Sequence, residues 1–310
     1  MRRNVKCAFS ISLVVSGLIF LIGTGTASPF YAANVDPAYR VSFEKWKAEE
    51  IDDLKQNWLP LAGLFWLKPG ANSFGSDPGN DIVLPQGSAP ARAGIFEFNA
   101  NDVTVKFLPG VSAKIGGKPS TTSALQPDAS GTPTVIELGS LRMHVIKRGQ
   151  RTGIRVKDLN SLAARNYHGP IFFDLNLAYR VTATWVPANG KKTIDIPNVL
   201  GDTTSTPVAG EVRFKLNGQD LQLTDLGGDP SKGLFIVFND LTSKTETYPG
   251  GRFLETDPPA NGTVVLDFNR AHNPPCAVTP YATCPLAPKE NRLAIALPAG
   301  EKYDRFHAHH

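Results

Sequence analysis

The sequence predicts a mainly β protein with one amphipathic helix at its N-terminal side. Short apolar or alternating runs recur from Leu61 to the C-terminal region, and Gly, Pro, Asn and Asp punctuate the gaps between them. Only residues 36–57 carry apolar side chains at helical spacing, through Tyr39, Phe43, Trp46, Ile51, Leu54 and Trp58. The expected organisation is a signal peptide over 1–33, the helix within 34–58, a first β-sandwich module over 59–160 and a second β-rich module over 161–310.

Residues 1–33 hold three basic residues and no acidic one, and the apolar run Cys7 to Gly23 follows the positive stretch Met1 to Lys6, as in secretory signals. That run is interrupted by Ser10, Ser12, Ser16 and Gly17 and falls short of the about 20 apolar residues a spanning helix needs. Cleavage near the small residues Gly25-Thr26-Ala27 is therefore expected, with an exported, periplasmic or extracellular product that no membrane holds. Cys7 opens the apolar run instead of closing it, unlike a lipid-attachment cysteine. Loss of the three basic residues takes the net charge from +4 to +1. The remaining Lys and Arg are scattered among acids, which excludes a nucleic-acid surface.

Asp36-Pro37 reads as a helix cap followed by proline in the first turn. Glu44, Glu49, Glu50, Asp52 and Asp53 oppose contact with anionic lipid, so the helix is expected to dock on the module that follows it. In that module, strands are expected at 63–67, 81–84, 94–98, 103–107, 134–138, 141–147 and 153–156. After a stretch of little periodicity, 160–169, a second series runs through 179–186, 192–196, 211–216, 220–223, 234–238 and 263–268, with a hairpin turn at Asn217-Gly218.

The densest concentration of demanding residues is Gly250 to Lys302, where a short strand, an Asp-Phe-Asn exit and two cysteines share a proline-rich stretch. Asp267 and Asn269 occupy alternate positions after Val264-Val265-Leu266, which places both on one strand face and Phe268 on the other. With Asn273, Tyr281 and Asn291 they offer the donors and acceptors that a small polar molecule or glycan requires. The bland alternative is that Asp and Asn cap turns through nearby backbone amides. Arg252, flanked by Gly251, and Arg155 with Asp158 are candidate anion clamps, with surface ion pairing as the alternative. Glu301 and Lys302 are expected to pair on the domain surface, and His144 to be a satisfied structural histidine.

Cys276 and Cys284 are the only cysteines left after signal removal. In an oxidising compartment a disulfide is the leading expectation, and metal ligation or a reactive thiol the alternatives. Their spacing exceeds that of tight zinc pairs and no second ligand pair is evident, so no metal site is expected; His272 is the nearest imidazole. The terminal His307, His309 and His310 are expected to be solvated. Familiar catalytic signatures are missing, with no Gly-x-Ser-x-Gly elbow, no His-Glu-x-x-His helix and no phosphate-cradling glycine loop, which does not exclude an enzyme because triad or paired carboxylate residues need not be close in sequence; no cofactor is expected.

Several of these segments, in order, carry a resemblance: Trp66-Leu67, Asn72 to Asp77, Gly153 to Asp158, Thr247 to Leu254, Asp267-Phe268-Asn269, Asn273-Pro274-Pro275-Cys276-Ala277, Cys284-Pro285-Leu286, Asn291-Arg292-Leu293 and Ala299-Gly300-Glu301-Lys302. The chain resembles the prokaryotic family known as domain of unknown function sixteen-eighty-four, whose usual Cys-Pro-Leu-Pro-Pro reads Cys284-Pro285-Leu286-Ala287-Pro288 here. The resemblance implies no activity. Separately, Gly70 to Leu84 is similar to the early strands of a forkhead-associated domain, implying a β-sandwich for the first module. Such domains bind phosphothreonine through an arginine after the glycine and a serine and histidine on the next loop. Ser76 follows Gly75, and 89–94 supplies neither, so phosphopeptide recognition is not expected. The leading functional expectation is binding of a small polar ligand or glycan in the second module. The alternatives are a hydrolase using Asp267 beside Tyr281 or Glu301, and a structural or assembly factor of the cell envelope.

Overall fold

A computed structural model describes residues 35–190 and 192–303; the signal segment, Cys7 and the terminal histidines lie outside the described residues. The protein is mainly β, with one long N-terminal helix and several sheets. Among the described residues no helix is long and apolar enough to cross a membrane.

Helix α1 (Pro37–Asp53) begins where the Asp36 side chain accepts a hydrogen bond from the Ala38 amide, and Pro37 occupies the first turn, where its missing N–H costs nothing. It ends in a wider turn over Leu54–Trp58, in which the Leu59 amide reaches back to the Leu54 carbonyl at 2.8 Å and Trp58 swings off the helical face. The inward stripe is narrow: Phe43 is buried, whereas Val41 is 70% exposed. Contrary to expectation, the helix docks on the second module, not the first. Phe43 and Trp46 meet Phe172 edge-on at 5.4 and 5.8 Å between ring centroids, and the Tyr39 hydroxyl bonds both Asp267 oxygens.

The first module is a sandwich of two sheets. One contains β1 (Leu61–Trp66), β6 (Lys114–Ile115), β7 (Lys118–Pro119), β9 (Ile136–Leu138), β10 (Leu141–Arg148) and β11 (Arg151–Asp158), in the order β1-β11-β10-β9-β6-β7. The other contains β2 (Gly70–Gly75), β3 (Ile82–Val83), β4 (Gly94–Asn99), β5 (Asp102–Phe107) and β8 (Thr122–Leu125), in the order β3-β2-β4-β5-β8. Alternation does the work: Val103, Val105 and Phe107 of β5 point inward with Phe74, Phe96, Met143, Val145 and Val156.

The second module begins after the short helix α2 (Leu162–Asn166). Its antiparallel sheet runs β16 (Gln219–Thr224), β15 (Gly210–Leu216), β12 (Arg180–Pro187), β19 (Thr263–Asp267), and the expected Asn217-Gly218 turn joins two of these strands with positive φ at both residues. Two smaller ladders, β13 (Thr193–Pro197) with β14 (Thr203–Pro207) and β17 (Phe235–Phe238) with β18 (Arg252–Glu255), complete it. The stretch after Asn291 buries alternate residues Leu293, Ile295, Leu297 and Ala299 like a strand, yet bonds its neighbours only at scattered points such as Leu293 to Asn239. It seals a core built on Val212, Phe214, Ile236, Phe238, Leu266 and Phe268.

Candidate functional site

The sequence-predicted polar pocket is not where its residues lie. Strand β19 stops at Asp267, whose carboxylate caps the short 3-10 turn Phe268–Arg270 and also receives the Asn269 side-chain amide at 3.1 Å. Its remaining capacity goes to Tyr39 and to Arg180 and Arg270, each 3.7 Å away. Asn269 is buried and clamps Asn176 through both its amide and carbonyl, each at 3.0 Å. Asn291 is fully buried and bridges Thr224 of β16 to Val237 of β17. These are stitches between segments, so the turn-capping alternative describes them.

The arginines are corrected in the same way. Arg252 is 1% exposed; it pairs with Asp240 at 2.5 Å and donates to the Ala299 and Leu297 carbonyls, fixing the C-terminal stretch against β18. A guanidinium so occupied cannot clamp a ligand. Buried Arg155 lies over the Trp58 ring and donates to the Tyr281 carbonyl at 3.4 Å, joining the modules. Asp158 caps its own loop by accepting from the Asn160 amide, and Tyr281 takes part through its backbone. Cys276 and Cys284 are unbridged here, with the Cys276 amide donating to the Cys284 sulfur at 3.3 Å and the Tyr248 hydroxyl 3.4 Å from the Cys276 sulfur. Hydrogen bonding from Cys284 pulls the Cys276 thiol down, while the same contact and burial push Cys284 up.

A cavity of about 340 Å³ opens instead between α1 and the second module, in the range of small-ligand sites. Four acids line it: Glu50 and Asp53 from the helix, Glu255 from β18, and Glu301. Its aromatic walls are Trp58, Phe172, Phe235 and Phe253, and its floor includes His272 and Asn273. Among the described residues no Lys or Arg lines it.

Glu301 is 7% exposed and does not pair on the surface as expected. Its Oε2 accepts from the Asn273 amide at 2.7 Å, while burial, aided by the charge of Glu50, raises its pKa to about 8. Its position depends on Gly300, where φ is +80° and a Cβ would sit 2.4 Å from the Ala271 carbonyl oxygen. The Glu301 amide bonds that same carbonyl. Glu50 is also raised by burial, then by Asp53 and Glu49. His272 is lowered by burial, hence neutral; the Arg270 carbonyl 3.3 Å from Nδ1 fixes the proton there and leaves Nε2 as an acceptor 3.7 Å from Glu50. Only Asn273 of the sequence-predicted ligand residues lines this cavity. Glu50 is missed from sequence because it looks like a helix surface charge, and Glu301 is named only as a partner for Asp267 in a hydrolase; Gly300, left-handed in the structure, is the signal that Glu301 is held in a fixed place.

Residues 165–302 match the model of a family described as a protein of unknown function (DUF1684). The uncharacterized protein from gene locus rrnAC0354 of Haloarcula marismortui is similar at 31% identity over 47% of this chain and 82% of that one, with a TM-score of 0.39. The chain belongs to the DUF1684 family. The family match begins within α2 and takes in the second module as far as residue 302, with every lining residue after Trp58, whereas the Glu50 side of the cavity precedes it. Elsewhere the chain is similar to the FHA domain of the CT664 protein from Chlamydia trachomatis, at 21% identity over 32% of this chain and 95% of that one with a TM-score of 0.22. It is also similar to the FHA-2 domain of Mycobacterium tuberculosis ABC transporter Rv1747, at 18% identity over 28% and 76% with a TM-score of 0.22. No curated protein matches the chain.

Proposed function

We propose that the protein is an exported binding protein that takes a small polar ligand or glycan into the cavity between α1 and the second module. The observation that carries this reading is the cavity itself, about 340 Å³ with aromatic walls and buried, under-used polar groups. In this reading the site lies between the helix and the second module and is built on Glu50, His272, Asn273 and Glu301 in place of Arg252 and Asp267. The signal pattern of residues 1–33 supports export to a periplasmic or extracellular setting. There Cys276 and Cys284, already in contact, close a disulfide.

A second reading has one observation in its favour. Glu301 keeps its proton to about pH 8 beside the Glu50 carboxyl, an acid and a potential base in one cleft, which suits hydrolysis of a glycan or small ester. Asp267, the acid or base expected from sequence, does not line the cavity.

A thermal-shift screen of the secreted, signal-free protein against polar metabolites and oligosaccharides tests both readings. Binding to the folded state raises the melting temperature, by about 2.7 kcal/mol of stability at a hundredfold excess over Kd. A hit weakened by Glu255→Gln at the cavity rim places the ligand there, and breakdown of that hit on incubation moves the reading to the hydrolase. A melting temperature unmoved across the screen sinks both, and two titratable thiols in the secreted protein sink the disulfide.

A further inference from the structure

The cavity presents many acceptors and, apart from the proton on Glu301, few free donors. The Trp58 indole N–H is taken by Asp53 at 2.9 Å, and the second Asp53 oxygen is occupied by Asn57. The His272 Nδ1 proton faces the Arg270 carbonyl, and the Asn273 amide and side-chain NH2 go to Glu301 and the Lys302 carbonyl. Left over are the Glu50, Glu255 and Glu301 carboxyls, His272 Nε2, and Asn273 Oδ1, which is buried without a hydrogen-bond partner in a side chain only 8% exposed. Asn273 Oδ1, buried without a donor, costs about 1–3 kcal/mol as it stands, so the site calls for a guest that donates to it.

Resting on the binding function proposed above, we propose that the guest is an organic cation: a protonated primary amine with an apolar body. Its N–H groups meet Glu50, Glu301 and the Asn273 carbonyl oxygen, and its hydrocarbon part lies against Trp58, Phe172 and Phe253. The 3.7 Å separation of His272 Nε2 from Glu50 is too long for a hydrogen bond and leaves room for an ammonium nitrogen within about 2.9 Å of each. The aromatic faces add cation–π attraction. A sugar would find acceptors for its hydroxyl protons but only the Glu301 proton for its oxygens, and an anion would meet four carboxyl groups and, among the described residues, no lining cation. A metal ion is disfavoured too, since among the described residues no three His, Cys, Asp or Glu side chains form a group able to hold one.

The amine must displace the Glu301 proton. That carboxyl faces Glu50 and Asp53 from the helix, His272, Tyr167, and Glu255 and the Asp240-paired Arg252 from β18, and it is held up to about pH 8. Binding of an amine that stays protonated over this range therefore tightens as pH rises.

Calorimetric titration with 2-phenylethylamine, 2-phenylethanol, 3-phenylpropionate and glucose at pH 6.5 and 8.5 tests this on the full mature chain. The amine is expected to bind, at least tenfold tighter at pH 8.5, with no heat from the other three. Glu301→Gln should abolish the pH dependence, and Glu255→Gln, an exposed change that leaves the core alone, should weaken binding several-fold. Circular dichroism reports whether each variant is folded. Binding of the alcohol or glucose in preference to the amine, amine binding indifferent to pH and to both variants, or no binding by any of the four overturns the cation assignment. Hits among neutral compounds in the wider screen would leave the binding function standing, so the two failures are separable.

Discussion

Arg252 and Glu301 are both buried ionisable side chains near the C-terminal stretch, and they differ in what surrounds them. Arg252 has Asp240 against it and two carbonyls to donate to, so its burial is compensated. Glu301 has one backbone amide and the weak pull of a cation already paired elsewhere, and it responds by holding its proton. The folded state thus binds that proton more tightly than the unfolded chain, where the carboxyl ionises near 4.5. Below pH 4.5 the stabilisation is fully present; between 4.5 and about 8 it is lost as pH rises, at about 1.4 kcal/mol per pH unit at the steepest. Glu301→Gln keeps an oxygen for the Asn273 amide and removes the titration. Urea unfolding at a series of pH values is expected to show the variant gaining on the wild type steadily from pH 5 to 8, by a few kcal/mol in total. Parallel curves would mean that Glu301 ionises normally and that the cavity is wetter than its geometry implies.

At the scale of elements, what the sequence made legible was what depends on near neighbours. The alternation of Val103, Val105 and Phe107, the Asn217-Gly218 turn and the Asp36-Pro37 start are local signals, and the strands and helix form there. What stayed hidden depends on contacts across the chain: Tyr39 finds Asp267 at a separation of 228 residues, and Asn269 finds Asn176 at 93. Asp267 and Asn269 therefore stand out in the sequence while their partners do not, and a polar cluster bonded to distant segments reads there like one open to a ligand. The helix roof is anchored by Tyr39 on Asp267 and by the Phe43 and Trp46 rings on Phe172, and Phe43 is the buried one of these. Phe43→Ala is expected to cost about 3–5 kcal/mol and to loosen the roof before the sheets. Hydrogen exchange should show α1 amides losing protection while β12 and β15 keep theirs, and ligand affinity should fall with the roof. A uniform loss of protection would mean that helix and sheet form a single cooperative unit.

Across the whole molecule, the two modules meet through arginines of the first sheet. Arg148 donates to Thr283 at 3.1 Å, Arg151 to Asp202 at 2.5 Å, and Arg155 inserts between Trp58 and the Tyr281 carbonyl. The first two are partly exposed, and such contacts are worth about 0.2–1 kcal/mol each. Arg155 is different: buried, with its Nε lacking a partner, only one long hydrogen bond, and its pKa lowered by burial and then by Arg148. Its charge works against the interface and its stem and plane work for it, through packing on Trp58 beside the cluster of Val237, Phe253, Ala282 and Cys284. Separating the two contributions needs two substitutions. Arg155→Met keeps the volume and drops the charge, and should leave stability unchanged or raise it by about 1–4 kcal/mol with a single calorimetric transition. Arg155→Ala removes the packing as well, and should lower stability and split the transition into one per module, because the interface left behind consists of solvent-screened pairs. A methionine variant as damaged as the alanine variant would show that the guanidinium itself holds the modules together, and the interface would then be polar in origin.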